Sequence, residues 1–374
     1  MKILAIETSC DETAIALVEA EGGLNAPRFK ILKSLVASQI KIHAPFGGVV
    51  PNLAKREHLK NLPVLFGKIF SKSQIANRKW EKVDLIAVTV GPGLEPALWT
   101  GIGFAKELRE KFKAQSVKGK IIGVNHLEGH LYSFLLPRKS KAQIANRKSI
   151  FPAVALIVSG GHTILLLVKD LKTWRVLGET RDDAVGEAYD KVARLLRLPY
   201  PGGPEIERLA RKGNSHAIEF PRPMIHDNSP AGEYDFSFSG LKTSVLYLIK
   251  KNESLLKNDR FVREVCHEFQ EAVTETLIAK TIQAGKRYSP KTILLAGGVS
   301  ANQYLQKKMA KIIKKELPYS AYHSLDTRYS LDNATMIAIA GFFRWEKNKD
   351  NKNFQKEIAN NWKTLQTQAN LELK

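Results

Sequence analysis

Short apolar runs, several closed by a glycine turn, alternate with longer amphipathic stretches along this chain, and the succession occurs twice. Runs this short read as strands, while the stretches between them carry apolar residues at helical spacing. Strand and helix in alternation predict an α/β fold. In the first pass, residues 2–6 read as a strand, 14–19 as its hairpin return and 36–40 as a third strand. A helix from Asn52, a strand over 85–90, a helix over 97–112 and a strand over 121–124 follow. Gly101 and Gly103 on the second helix suit close packing. In the second pass, 151–158 and 163–168 form an apolar hairpin and 174–177 a third strand. Helices near 186–196, 205–212 and 260–284, a strand over 292–296 and a helix after Ala301 complete it.

The repetition predicts two duplicated lobes, residues 1–140 and 150–345, joined by the basic linker Pro137-Arg138-Lys139-Ser140-Lys141. Residues 332–345 read as a last helix able to cross back to the first lobe. Residues 346–374 read as a polar extension, a peripheral helix or frayed tail.

A chain of 374 residues is long enough for two domains. Its net charge of +21 is the unusual quantity, since such a balance favours polyanions and permits RNA as a partner. The excess is spread along the chain, so it locates no binding face, and a lysine-rich solvated surface would look the same. Two cysteines, Cys10 and Cys266, exclude a disulfide framework and fit a reducing compartment. The chain opens on a strand rather than a secretory leader, and no apolar run is long enough to span a membrane. A cytoplasmic location without a membrane partner is expected. Gln74-Ile75-Ala76-Asn77-Arg78-Lys79 recurs as Gln143-Ile144-Ala145-Asn146-Arg147-Lys148, too short for a repeat unit and readable as a duplicated surface insertion.

Chemistry concentrates in His126-Leu127-Glu128-Gly129-His130. Residues four apart share a helix face, so the two imidazoles can meet one metal ion. Asp332, in a late polar turn, offers a third ligand, leaving open positions for substrate. Nitrogen and oxygen donors fit Fe(II), Zn(II) or Mn(II). A zinc protease would need its Glu directly after the first His. Glu128 instead lies two residues from each His, about 200° around the helix, and points away.

Three glycine turns follow apolar runs. Ser159-Gly160-Gly161 can turn backbone N–H groups toward an anion, or serve only as a tight hairpin. Pro201-Gly202-Gly203-Pro204 opens a helix, with Glu207 one turn in and suited to ribose hydroxyls. Gly297-Gly298 lets a flat ring approach the backbone, and Asn302 suits an adenine edge or an N-cap. Metal ligands together with such turns suggest chemistry on a nucleotide. Cys10 lies beside Asp11 and Glu12, whose charges raise a thiol pKa and disfavour a nucleophile.

Ile6-Glu7-Thr8-Ser9-Cys10-Asp11-Glu12-Thr13, Gly91-Pro92-Gly93-Leu94, Asn125-His126-Leu127-Glu128-Gly129-His130, Val158-Ser159-Gly160-Gly161-His162-Thr163, Tyr200-Pro201-Gly202-Gly203-Pro204, Phe236-Ser237-Phe238-Ser239-Gly240-Leu241-Lys242-Thr243 and Gly297-Gly298-Val299-Ser300-Ala301-Asn302 occur in this order. In these motifs, over roughly residues 1–345, the chain resembles the universal tRNA threonylcarbamoyladenosine transferase family. That family supplies the catalytic subunit of the bacterial threonylcarbamoyladenosine complex and of KEOPS, and was formerly called O-sialoglycoprotein endopeptidase.

The resemblance implies two RNase H-like lobes in an actin/sugar kinase/Hsp70-like (ASKHA) fold, with a cleft between them. It implies transfer of threonylcarbamoyl from threonylcarbamoyl-AMP to N6 of adenosine 37, in tRNAs reading codons that begin with A. By motif position His126, His130 and Asp332 would hold one divalent metal, Fe(II) or Zn(II). Ile157, Val158, Ser159, Gly160 and Gly161 would bind the threonylcarbamoyl and phosphate groups. Asp190, Gly203, Glu207 and Asn302 would hold ribose and adenine. No catalytic base is assigned, Asp11 and Glu12 being the candidates. Expected partners are tRNA and the subunits of a synthesising complex, in bacteria an inactive paralogue and an ATPase. Asn125 stands where many bacterial members have a further His, and Ala334 where Gly is common. An ASKHA-type small-molecule kinase and a non-catalytic scaffold paralogue are the alternatives; neither calls for the His/His/Asp set.

Overall fold

A strand made almost wholly of apolar residues is stable only when covered on both faces, and Leu85–Gly91 is buried at every position. This strand, β4, is central to the first sheet, in a computed structural model that describes all residues except 25, 71–82, 114–119, 138–149, 215–217, 228, 230, 231 and 374. It lies between β1 (Lys2–Glu7) and β5 (Lys120–Asn125), and with β2 (Glu12–Glu21) and β3 (Arg28–Ser38) the order is β3-β2-β1-β4-β5. β1, β4 and β5 run parallel, while β2 and β3 return antiparallel. Helices α1 (Ile40–His43), α2 (Pro51–Ile69), α3 (Glu95–Lys113) and α4 (His126–Tyr132) connect or follow these strands.

β3 starts at Arg28, well before the expected residue 36. It is an edge strand whose residues alternate between half-buried and exposed, so Lys30 and Lys33 hide it from a search for apolar runs. Gly101 on α3 meets the Thr8 side chain as anticipated, whereas Gly103 faces open space.

The second sheet comprises β6 (Ala153–Val158), β7 (Thr163–Val168), β8 (Trp174–Glu179), β9 (Thr292–Ala296) and β10 (Ala321–Ser324). Its order, β10-β9-β6-β7-β8, repeats the pattern of the first sheet: two antiparallel returns on one side and parallel strands on the other. Around it lie α5 (Val185–Leu195), α6 (Gly202–Ala210), α7 (Ser239–Lys251), α8 (Asp259–Tyr288) and α9 (Gln303–Glu316). α7 and the short edge strand β10 had no counterpart in the sequence reading.

The last helices are α10 (Ala334–Asn348) and α11 (Lys352–Asn360). α10 is buried continuously from Ala334 to Phe343 and packs on the first sheet. There Gly341 meets Ala87, Phe342 meets Phe29 at 5.3 Å and Phe343 stacks on Tyr132 at 4.4 Å. Alternation decides the faces: Leu4, Ile6, Ile86 and Val88 join the core under α2 and α3, while Ala87 and Ile122 turn toward α10.

The chain divides into one compact unit of Met1–His43, Val49–Ala145 and Asp332–Leu373, and a second of Ala44–Gly48 and Asn146–Leu331. Residues 332–345, expected either to close the second lobe or to cross back, fall in the first unit, where α10 buries its apolar surface. Of the two alternatives for the extension, residues 346–373 follow the peripheral helix, α11, and not the frayed tail, since Phe354, Ile358 and Leu373 are buried. Both copies of the hexapeptide and the basic linker lie outside the described residues.

A Cβ on Gly341 would lie 2.7 Å from that of Ala87, a sheet position with no freedom to retreat. Gly341→Val should cost about 1–3 kcal/mol and lower the thermal midpoint, whereas Gly103→Ala, in open space, should raise it slightly. Thermal denaturation followed by circular dichroism checks both.

Candidate metal centre

Three parallel strand ends supply the frame. β1 ends in Glu7, β4 contributes Thr89, and β5 runs through Asn125 directly into α4. The Asn125 side chain accepts the Leu127 N–H at 2.8 Å and so caps the helix. His126 and His130 then fall one turn apart, with ring centroids at 4.7 Å. Asp332 arrives just ahead of α10, whose cap Asn333 accepts from Thr335 and Met336. Its Oδ1 lies 3.4 Å from His126 Nε2 and 3.3 Å from His130 Nε2. One ligand atom from each of the three residues falls within 4.8 Å of the others.

His130 tests the fit. It is wholly buried, and neither ring nitrogen has a hydrogen-bond partner despite the nearby carboxylate. Stranded buried polar atoms are costly, and a cation between His130 and Asp332 would satisfy Nε2. His126 shows the complementary arrangement. Its Nδ1 lies 2.9 Å from Glu7 Oε2 and 3.2 Å from Ser9 Oγ, so Nδ1–H donates to the carboxylate and Nε2 keeps its lone pair for the metal. Glu7 is itself held by the Ser9 N–H and, at 2.7 Å, by the Thr89 hydroxyl. The set fits a divalent ion.

The electrostatics agree. Burial works to lower the pKa of His126, but Asp332 and Glu7 outweigh it and raise it to about 9. His130 moves down, chiefly through burial. The site thus favours one added positive charge. Glu128, pushed up by burial, is under the influence of Lys347 and Arg344 and takes no part in the cluster.

Cys10 is half-buried, and its thiol is raised well above its usual range by burial, Asp11, Asp332 and Glu12, which removes it as a nucleophile. Burial, then Asp11 and Asp332, also push Glu12 up.

Sequence reasoning missed a buried network beneath this loop. His58 Nε2 donates to the Cys10 carbonyl at 3.0 Å, while its Nδ1 meets Thr13 Oγ1 at 2.8 Å and the Gln39 amide at 3.3 Å. His43 Nε2 donates to Gln39 Oε1 at 3.1 Å. A lone His six residues after Asn52 gives no signal by spacing. Only its wholly buried place shows that it ties both ends of the segment carrying Asp11 and Glu12.

In the second unit the glycine turns converge. Gly160 and Gly161 are exposed at the tip of the β6–β7 hairpin, with nothing near their missing side chains. A Cβ on Gly186, in the first turn of α5, would lie 2.6 Å from the Ser159 carbonyl, and Gly297 (φ +87°) lies against Val158. Ile157 and Val158 are wholly buried at the end of β6, behind the exposed hairpin tip. Asp190 accepts the Gly202 N–H at 2.7 Å and so holds the start of α6. Gly203 beside it is half-buried and open. Glu207 accepts from Arg211 and from the Gln303 N–H. Asn302 caps α9 through Leu305 and donates to Gln270 at 3.1 Å. Asp190, Glu207 and Asn302 therefore all anchor helix starts.

An α/β protein with two five-stranded mixed sheets, and a set of two buried His and a half-buried Asp that can hold a metal ion, is the class so defined. The model of the TsaD family, tRNA N6-adenosine threonylcarbamoyltransferase, matches residues 30–339, and the chain belongs to that family. It is 47% identical over 350 residues to the tRNA N6-adenosine threonylcarbamoyltransferase of Thermosipho melanesiensis, covering 94% of this chain and 97% of that one. With the corresponding Thermosipho africanus protein it shares 45% over 348 residues, covering 93% and 95%. Among solved structures, HypF of T.kodakarensis aligns with a TM-score of 0.53 at 11% identity. That alignment covers 96% of this chain but only 49% of that one, and shows likeness of fold alone. No described helix is long and apolar enough to cross a membrane.

Glu7→Gln keeps the shape but weakens the charge behind His126. Divalent-metal affinity, measured by competition with a chromogenic chelator, should fall about 10–100-fold. Burial lowers the pKa of His58 from 6.5, so the unfolded chain takes up a proton that the folded one refuses. Its contribution to stability is therefore full above that value and declines as pH falls below it. His58→Gln should flatten the drop in thermal midpoint between about pH 7.5 and 5.5, and an unchanged slope would count against the network.

Proposed function

We propose that this chain transfers the threonylcarbamoyl group of threonylcarbamoyl-AMP to N6 of adenosine 37, in tRNAs reading codons that begin with A. The observation that carries the proposal is the His126/His130/Asp332 set within a chain of this family. The same reading makes the metal Fe(II) or Zn(II), since two imidazoles and one carboxylate are borderline donors. It takes the two units as duplicated ASKHA lobes, on the strength of their matching strand orders. The net charge of +21 suits a polyanionic substrate. A cytoplasmic location and partner subunits of a synthesising complex, in bacteria a paralogue and an ATPase, belong to the proposal.

The donor is a mixed anhydride, so its leaving group is already activated. N6 attacks the carbamoyl carbon, the new C–N bond forms, the C–O bond to AMP breaks, and AMP departs with the bonding electrons as N6 releases a proton. A bound divalent metal supplies Lewis acidity toward an oxygen of the donor. The chain's own residues have positioning to do. The exposed backbone at Gly160 and Gly161, with Ile157, Val158 and Ser159 behind it, takes the phosphate and threonylcarbamoyl end. Asp190, Gly203, Glu207 and Asn302 form the ribose and adenine end. Asp190, Glu207 and Asn302 hold their helix starts in place, with lone pairs left over for hydroxyls. Asp11 and Glu12 are the two candidates to receive the proton. Adenosine 37 must leave its stack to reach such a site.

The test is nucleoside mass spectrometry of unmodified tRNA after incubation with threonylcarbamoyl-AMP, this chain and partner proteins from the same genome. Wild type should form threonylcarbamoyladenosine. His126→Ala should lose at least about 100-fold in rate with an unchanged circular dichroism spectrum. No product from wild type, with the partners demonstrably bound, would overturn the assignment.

A further inference from the structure

The segment beyond α11 is tied to the frame of the metal centre at successive points. Lys106 Nζ donates to the Lys363 and Leu365 carbonyls at 2.7 and 2.9 Å. The Gln368 N–H reaches the Val90 carbonyl at 2.7 Å, and the Gly93 N–H reaches the Ala369 carbonyl at 3.1 Å. Between them the segment crosses Gly91, where any side chain would collide with the Gln368 carbonyl. Leu365 and Leu371 pack on the core of the first unit, and Leu373 is buried. The last tie is to the metal helix itself: Asn125 Nδ2 donates to the Glu372 carbonyl at 2.9 Å. The opposite end of that amide, Oδ1, caps α4 at Leu127. The family model ends at residue 339, so this strap lies outside its match.

We propose that residues 364–373 form a positioning strap that fixes the Asn125 amide, and through it the helix start on which His126 and His130 depend. The proposal rests on the metal-site reading. A primary amide can rotate about its last side-chain bond or exchange its two ends. The Glu372 carbonyl accepts only from the NH2 end, so it selects the rotamer that turns Oδ1 to the Leu127 N–H. Without it, Asn125 is free to leave the cap, and the first turn of α4, which carries His126, frays. The strap thus acts at a distance from the ligands, through one side chain with two hydrogen bonds.

Binding of Co(II) alone, followed by its visible d–d bands and chelator competition, tests this without any turnover. Leu371→Asp/Leu373→Asp releases the strap in the full chain. Amide exchange should quicken over 364–373 and stay slow in β4 and α10. Co(II) affinity should then fall about tenfold in the Asn125 chain. Asn125→Ala should lower it alone, and releasing the strap in that background should add nothing. Asn125→Ser, whose hydroxyl caps without the tie, should stay near wild type with or without the strap, and it serves if the alanine variant does not fold. Unchanged affinity on release, or the same loss in the Asn125→Ala background, overturns the proposal. Equal Co(II) binding by wild type and His130→Ala would instead remove the metal site, and the strap's role with it.

Discussion

A carboxylate buried at the end of a central strand must be surrounded by donors, and Glu7 is. It takes the Ser9 N–H, the Thr89 hydroxyl and the His126 Nδ1–H, so one side chain joins β1, β4 and the start of α4. That junction decides which nitrogen of His126 faces inward. It also draws the loop after β1 toward the metal helix, since Ser9 Oγ shares the same imidazole. In that loop burial, then Asp11 and Asp332, push the pKa values of Glu12 and Cys10 upward.

The sheet brings together only two of the three ligands. The third depends on α10, whose unbroken apolar face finds cover on β1, β2 and β5. Packing, and not proximity in sequence, therefore places Asp332 against His126 and His130. Gly129 belongs to the same fit, since a Cβ there would press on Met336 and Ile337. The glycine inside a metal-binding helix is explained by its neighbour and not by the ion.

Much of this was legible in residues. The i, i+4 histidines and the late aspartate pointed to one ligand set, and the structure brings their ligand atoms together. The buried strands were legible because parallel strands covered on both faces read as plain apolar runs. β3 and β10 were less so: β3 alternates with exposed polar residues, and β10 is four residues long with none buried. The division of the chain near residue 145 lies where the basic linker was expected, and residues 332–345 fall in the first unit, as a helix able to cross back would. Residues 346–373 looked polar, yet a few anchors, Leu365, Leu371 and Leu373, suffice to seat them. Backbone hydrogen bonds do the rest, and these leave no trace in composition. The His58 network was hidden for a similar reason, a lone histidine carrying no period of its own.

The second unit interrupts the first between Ala145 and Asp332. During synthesis the two histidines emerge long before the aspartate, and α10 comes after the entire second unit. A nascent chain can complete β6–β10 and their helices while the first sheet still lacks the cover on one face. The cation site is then among the last features to mature, acquiring its carboxylate only once translation has passed α10. Vectorial growth thus separates the folding of the glycine-turn half from the loading of metal, and a ribosome-bound fragment ending before Asp332 holds the two imidazoles without their third ligand.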